Sequence, residues 1–80
     1  MPNLFEGRAQ ALVERLRKDA LDGLLVTSLP NVRYLTGFSG TNAILLVTAT
    51  QRWLFTDFRY AEQAQTEAGD AARIVVEAAS

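Results

Sequence analysis

Eighty residues, with eight basic and nine acidic side chains, no histidine and no cysteine, leave room for one domain and for few kinds of chemistry. A chain of this length buries only about 60% of its unfolded surface, and without cysteine neither a disulfide nor a thiolate-bound metal can reinforce it. A net charge of −1 offers no electrostatic case for nucleic acid or for an anionic membrane.

No apolar run approaches the ~20 residues of a membrane span. The segment from Met1 to Glu6 has no basic stretch leading into an apolar one, so it does not read as a secretory signal. The expectation is a soluble, cytoplasmic protein.

Residues 5–20 predict an amphipathic helix. Phe5, Ala9, Leu12, Val13, Leu16 and Ala20 recur at helical spacing, opposite a charged face. Glu14 and Lys18 are placed for an i, i+4 pair. Asn3 is the candidate cap, and Asp22-Gly23 the candidate stop. Leu24-Leu25-Val26-Thr27 is short and continuously apolar, which suits a strand covered on both faces. Pro30 fits the first turn of a short helix over Asn31 to Leu35, with Ser28 as its cap. Gly37 and Gly40 then end it in a left-handed or flexible loop.

Ala43 to Val47 and Arg52 to Thr56 predict two strands joined through Thr48-Ala49-Thr50-Gln51 as a hairpin. Tyr60 to Ala68, rich in Ala, Gln and Glu and followed by Gly69, predicts a helix. Arg73 to Glu77 predicts a last strand. The order argues an α/β domain with a mixed sheet of about four strands flanked by helices. A strand so near the C-terminus leaves one sheet face without later chain to cover it. The expectation is therefore a domain truncated at its C-terminal end.

Without histidine or cysteine the usual nucleophile–base pairs are missing. A metal site here would be all-carboxylate, yet the carboxylates are scattered over helix surfaces and turns. No catalytic and no metal-binding residue is assigned. Asp57 alone sits at a strand end, where α/β proteins tend to place functional groups. Asp57-Phe58-Arg59-Tyr60 is the densest polar cluster. Arg59 can hold a carboxylate with two parallel hydrogen bonds, with Tyr60 as an orienting hydroxyl. Equally, Asp57 can cap the following helix and pair with Arg59. Tyr34, Leu35 and Phe38 read first as packing residues. Ser39, Thr41 and Asn42 are polar groups at a loop tip, where function concentrates. Trp53 reads as half-buried on its strand.

Four stretches taken together resemble one family. They are Arg8-x-x-x-Leu12-x-x-x-Leu16 with Asp22-Gly23-Leu24-Leu25-Val26-Thr27, then Asn31-Val32-Arg33-Tyr34-Leu35-Thr36-Gly37-Phe38-Ser39-Gly40, then Thr56-Asp57-Phe58-Arg59-Tyr60-Ala61-Glu62-Gln63-Ala64. Each is weak alone, but their order and spacing resemble the amino-terminal domain of the creatinase, prolidase and aminopeptidase P group. The resemblance implies that residues 1–80 are part of a non-catalytic domain of a Xaa-Pro metallopeptidase, a dipeptidase or an aminopeptidase. The catalytic domain would lie outside this chain. That domain would hold two divalent ions (manganese, cobalt or zinc). The amino-terminal domain would support a homodimer and limit access of proline-containing peptides. The positions that would do so here are Phe38, Ser39, Thr41 and Asn42 in the loop, and Asp57, Arg59 and Tyr60 at the corner. The alternative is a stand-alone protein-interaction module on the same fold.

Overall fold

The computed structural model describes residues 4–77. Helix α1 runs Leu4–Lys18, strand β1 Gly23–Val26, helix α2 Leu29–Thr36, strand β2 Ala43–Thr48 and strand β3 Arg52–Asp57. A 3₁₀ turn, Phe58–Tyr60, leads into helix α3, Ala61–Ala68, and strand β4, Arg73–Glu77, follows. The strands form one four-stranded sheet in the order β1-β2-β3-β4. β1–β2 and β2–β3 are antiparallel, and β3–β4 are parallel. The β2–β3 link is short enough for a hairpin, whereas a parallel partner needs a crossover, supplied here by α3. This is the mixed α/β fold that the element order predicts.

The core lies between the helices and one face of the sheet. Val13 and Leu16 of α1, Val32 and Leu35 of α2 and Ala64 and Ala68 of α3 pack on Val26, Ala43, Leu45, Val47 and Leu54. Alternation along β2, where Ala43, Leu45 and Val47 are buried and Ile44 is not, fixes which face the helices cover. Thr56 and Ile74 continue that face, the first through a bond from Oγ1 to the Asn42 carbonyl at 2.6 Å.

Several local expectations are corrected. The cap proposed at Asn3 lies outside the described residues. α1 stops earlier than Asp22-Gly23: Ala20 turns left-handed with φ 57°. The Leu21 N–H then reaches the Leu16 carbonyl and the Ala20 N–H that of Arg17, at 2.9 and 3.1 Å. This is a Schellman ending with alanine in the position glycine usually takes. Glu14 pairs with Arg17, not Lys18, and Arg15 pairs with Asp19.

β1 is not buried on both faces. It is an edge strand of the sheet, with Leu24 and Leu25 exposed and only Val26 buried. Ser28 occupies the cap position of α2, but its side chain makes no capping bond. Tyr34, expected to pack inside, lies on the surface under the Arg8 guanidinium, whose carbon is 4.1 Å from the ring centre. Trp53 is half-buried, as expected.

The ends of the 37–42 loop follow from sterics. Gly37 has φ 84°, and its N–H reaches the Arg33 carbonyl at 2.8 Å, closing α2. Gly37 is the glycine with positive φ among the described residues, and Gly40 does not share that conformation. Gly40 is needed because a Cβ there would stand 2.2 Å from Cζ of Phe38.

Candidate functional site

The loop after α2 and the corner after β3 are far apart in sequence, yet the hairpin β2–β3 starts at one and ends at the other. Pairing Ala43 with Thr56 therefore sets the loop beside the corner. All of the predicted site residues meet in one cluster. Phe38 is its buried base, 1% exposed, with its ring edge-on to Tyr60 at 5.6 Å between centroids. Phe38 thus supports the surface from below and does not itself face solvent.

The polar groups above it form two networks. In the first, Asp57 ends β3 and accepts the Arg59 N–H at 2.9 Å, capping the 3₁₀ turn. The Arg59 side chain folds back on the same carboxylate through Nε and Nη2, each at 2.9 Å. Asn42 Nδ2 donates to Asp57 Oδ2 at 2.7 Å, joining loop to corner. The Thr41 and Tyr60 hydroxyls meet at 2.5 Å. The charged Arg59 hydrogen bonds, and then the one from Asn42, hold the Asp57 carboxyl well below the usual carboxylate range. Asp57 raises Arg59 in return, and the hydrogen bond from Thr41 lowers the Tyr60 phenol. Asp57 is therefore a fixed anion, unsuited to proton transfer near neutral pH.

The second network was not legible as a site in the sequence. Glu67 of α3 accepts both the Ser39 N–H and the Ser39 hydroxyl, at 2.9 to 3.0 Å. Gln63, one turn earlier, donates to Glu67 and to Ser39 Oγ at 3.2 Å. The Ser39 N–H, more than the other bonds, holds the Glu67 carboxyl below its ordinary value. The signal was the i, i+4 spacing of Gln63 and Glu67 on one helix face, which had no visible partner until the loop was placed.

The cluster is an ordered rim that anchors the 37–42 loop to α3 and β3. The guanidinium of Arg59 is mostly exposed, and its Nη1 donates to nothing among the described residues. No three His, Cys, Asp or Glu side chains converge among the described residues, so they do not fit a divalent-ion centre. A separate depression of about 560 Å³ lies between α1, β1 and α2, lined by Leu12, Leu24 and Tyr34 among others and by none of the predicted site residues.

The model of the creatinase/prolidase N-terminal domain matches residues 8–79. The chain belongs to that family. A Xaa-Pro aminopeptidase from Streptococcus pyogenes is 39% identical and superposes with a TM-score of 0.87, over 96% of this chain and 59% of the other. The N-terminal domain of the cytoplasmic peptidase PepQ from Mycobacterium tuberculosis H37Rv is 41% identical with a TM-score of 0.84, over 89% of this chain and 55% of that one. Among curated proteins, the uncharacterized peptidase YqhT of Bacillus subtilis (strain 168) is 45% identical over 47 residues, 59% of this chain and 13% of its own length. The family chain thus spans little more than half of these solved relatives and a small part of YqhT. No helix among the described residues is long and apolar enough to cross a membrane.

Proposed function

We propose that residues 1–80 are part of the non-catalytic N-terminal domain of a cytoplasmic Xaa-Pro metallopeptidase, a dipeptidase or an aminopeptidase P. Its partners are then a C-terminal catalytic domain, a second subunit in a homodimer, and a proline-containing peptide. Two divalent ions (manganese, cobalt or zinc) belong to the catalytic domain on this reading, where they would activate water for attack on the scissile carbonyl. The role of this chain is to support the dimer and to limit which peptides reach that centre.

The observation that carries this reading is the ordered rim on a family-typical fold: Asn42 and Arg59 are held by Asp57, Thr41 by Tyr60 and Ser39 by Glu67, around the buried Phe38, with Arg59 presenting unused donors. A rim bound at both ends keeps its shape when a peptide arrives, so little ordering is lost on binding. A guanidinium pre-aimed by Asp57 suits the terminal carboxylate of a dipeptide.

The test is Arg59→Ala in the complete enzyme. Loss of a charged hydrogen bond to substrate, typically about 1.5–3 kcal/mol, raises KM for a dipeptide roughly 10- to 100-fold. An unchanged KM together with a lowered Tm would make Arg59 a structural residue and remove it from the rim.

A further inference from the structure

β1 pairs with β2 on one side, and its other edge is open among the described residues. The β2–β3 hairpin tells which of its main-chain groups face that edge. The Thr48 N–H bonds the Gln51 carbonyl at 2.9 Å, so Thr48, Leu46 and Ile44 direct their main-chain groups at β3. Val47 and Leu45 then serve β1, where they stand opposite Leu24 and Val26. By the same alternation the N–H and C=O of Gly23 and Leu25 point out of the sheet, away from β2. Natural edge strands are guarded by charge, proline or a bulge. Gly23-Leu24-Leu25-Val26 pairs without a bulge and carries neither charge nor proline, and Leu25 is 61% exposed.

Beside this edge lies the depression of about 560 Å³ between α1, β1 and α2, which gives an added strand room for its side chains. Leu12, Leu24 and Leu35 line it with apolar surface. Its charged lining residues are Arg8 and Arg15, and no acidic side chain lines it, although the whole chain has a net charge of −1. The Arg8 guanidinium is fixed on the Tyr34 ring, with Nη1 on the Tyr34 carbonyl at 2.8 Å. Arg15 gives Nε to Asp19 at 3.1 Å. The remaining guanidinium nitrogens of both have no partner among the described residues. An open strand edge beside an apolar groove is the setting for strand addition, in which main-chain bonds hold an extended peptide and the groove selects its alternate side chains. The two arginines select carboxylates. They also disfavour a second copy of this chain as the occupant, since pairing β1 with β1 about a two-fold axis would set arginine toward arginine.

We propose that the β1 edge docks an extended segment of a partner protein, which adds to the sheet beside β1 and lays an apolar side chain flanked by carboxylates into the groove between Arg8 and Arg15. The site is separate from the rim, because β1 lies two strands away from β3, whose end carries Asp57. The inference does not rest on peptidase activity, so an inactive protein would leave it standing.

The probe is a dye-labelled peptide, Thr-Glu-Thr-Leu-Thr-Glu-Thr, titrated with the complete gene product and followed by fluorescence anisotropy. As a strand it places its leucine and both glutamates on one face. It contains no proline, so cleavage by a Xaa-Pro peptidase does not disturb the reading. The expected result is saturable binding that weakens at least about tenfold when lysine replaces both glutamates, and by a similar factor in Arg15→Glu. Arg15 and Asp19 form an exposed pair, so this variant should fold normally. Leu25→Pro removes the outward N–H and leaves the bonds of Leu24 and Val26 to β2, so it too should weaken binding at least about tenfold. If that variant has a lowered Tm, Arg15→Glu carries the test by itself. Three results would each overturn the proposal. One is no saturable binding up to about 1 mM, as when a second copy or later chain of the same polypeptide already holds the groove. The others are equal affinity for the lysine peptide and undiminished binding to Arg15→Glu.

Discussion

Thr36 holds the turn from α2 into the rim together with one hydroxyl. Fully buried, it donates to the Val32 carbonyl at 2.7 Å and accepts the Phe38 N–H at 3.1 Å. Valine there keeps the shape but leaves the Phe38 N–H unpaired in the core. Thr36→Val should therefore lower stability by about 1–3 kcal/mol, read as a shift of the denaturation midpoint at unchanged m-value. Asp57 and Glu67 set how the rim responds to acid. Both carboxyls are held below their ordinary values in the fold, so the stability they add is present above the unfolded carboxylate range, about pH 4 and upward. It is lost as pH falls through their lowered native values. Asp57→Asn combined with Glu67→Gln should accordingly flatten the pH dependence of stability below about pH 4 and leave its slope between pH 6 and 8 unchanged. An equally steep acid limb in the double variant would show that other groups dominate.

At the scale of elements, α1 and β1 show where sequence patterning was enough and where it was not. The apolar positions of α1 predicted its buried stripe, because a helix that packs on one side must repeat at that spacing. The stop was misread, since glycine is the usual left-handed residue and Ala20 takes that conformation instead. The strain is avoidable: Ala20→Gly should stabilise by about 0.5–1 kcal/mol, the relief of the left-handed alanine exceeding the added entropy of the unfolded chain. A lower denaturation midpoint in that variant would contradict the Schellman assignment. For β1, continuous apolarity predicted burial on both faces, but an apolar run reports what the strand is suited to meet. Among the described residues its neighbours are β2 on one side and solvent on the other. The rim residues Asp57, Arg59 and Tyr60 were visible as a cluster because they adjoin in sequence. Glu67 was not, because its partner Ser39 is 28 residues away.

Across the whole molecule, Arg52 joins three segments that sequence alone did not connect. From β3 its Nε reaches the Ala71 carbonyl ahead of β4, and its Nη2 reaches Glu6 of α1, both at 2.8 Å. The pair is partly shielded, so Arg52→Met should cost about 1–2 kcal/mol, more than an exposed ion pair such as Arg15–Asp19. The same fold fixes the rim by pairing Ala43 with Thr56, and it is the rim, with the family assignment, that supports an accessory role in a Xaa-Pro peptidase. The most direct measurement is hydrolysis of a Xaa-Pro dipeptide, with added manganese, by the complete gene product and by residues 1–80 alone. The account predicts turnover by the complete protein and none by the 80-residue chain. Turnover by the chain alone that survives further purification, or no turnover of any Xaa-Pro peptide by the metal-loaded complete protein, would contradict it.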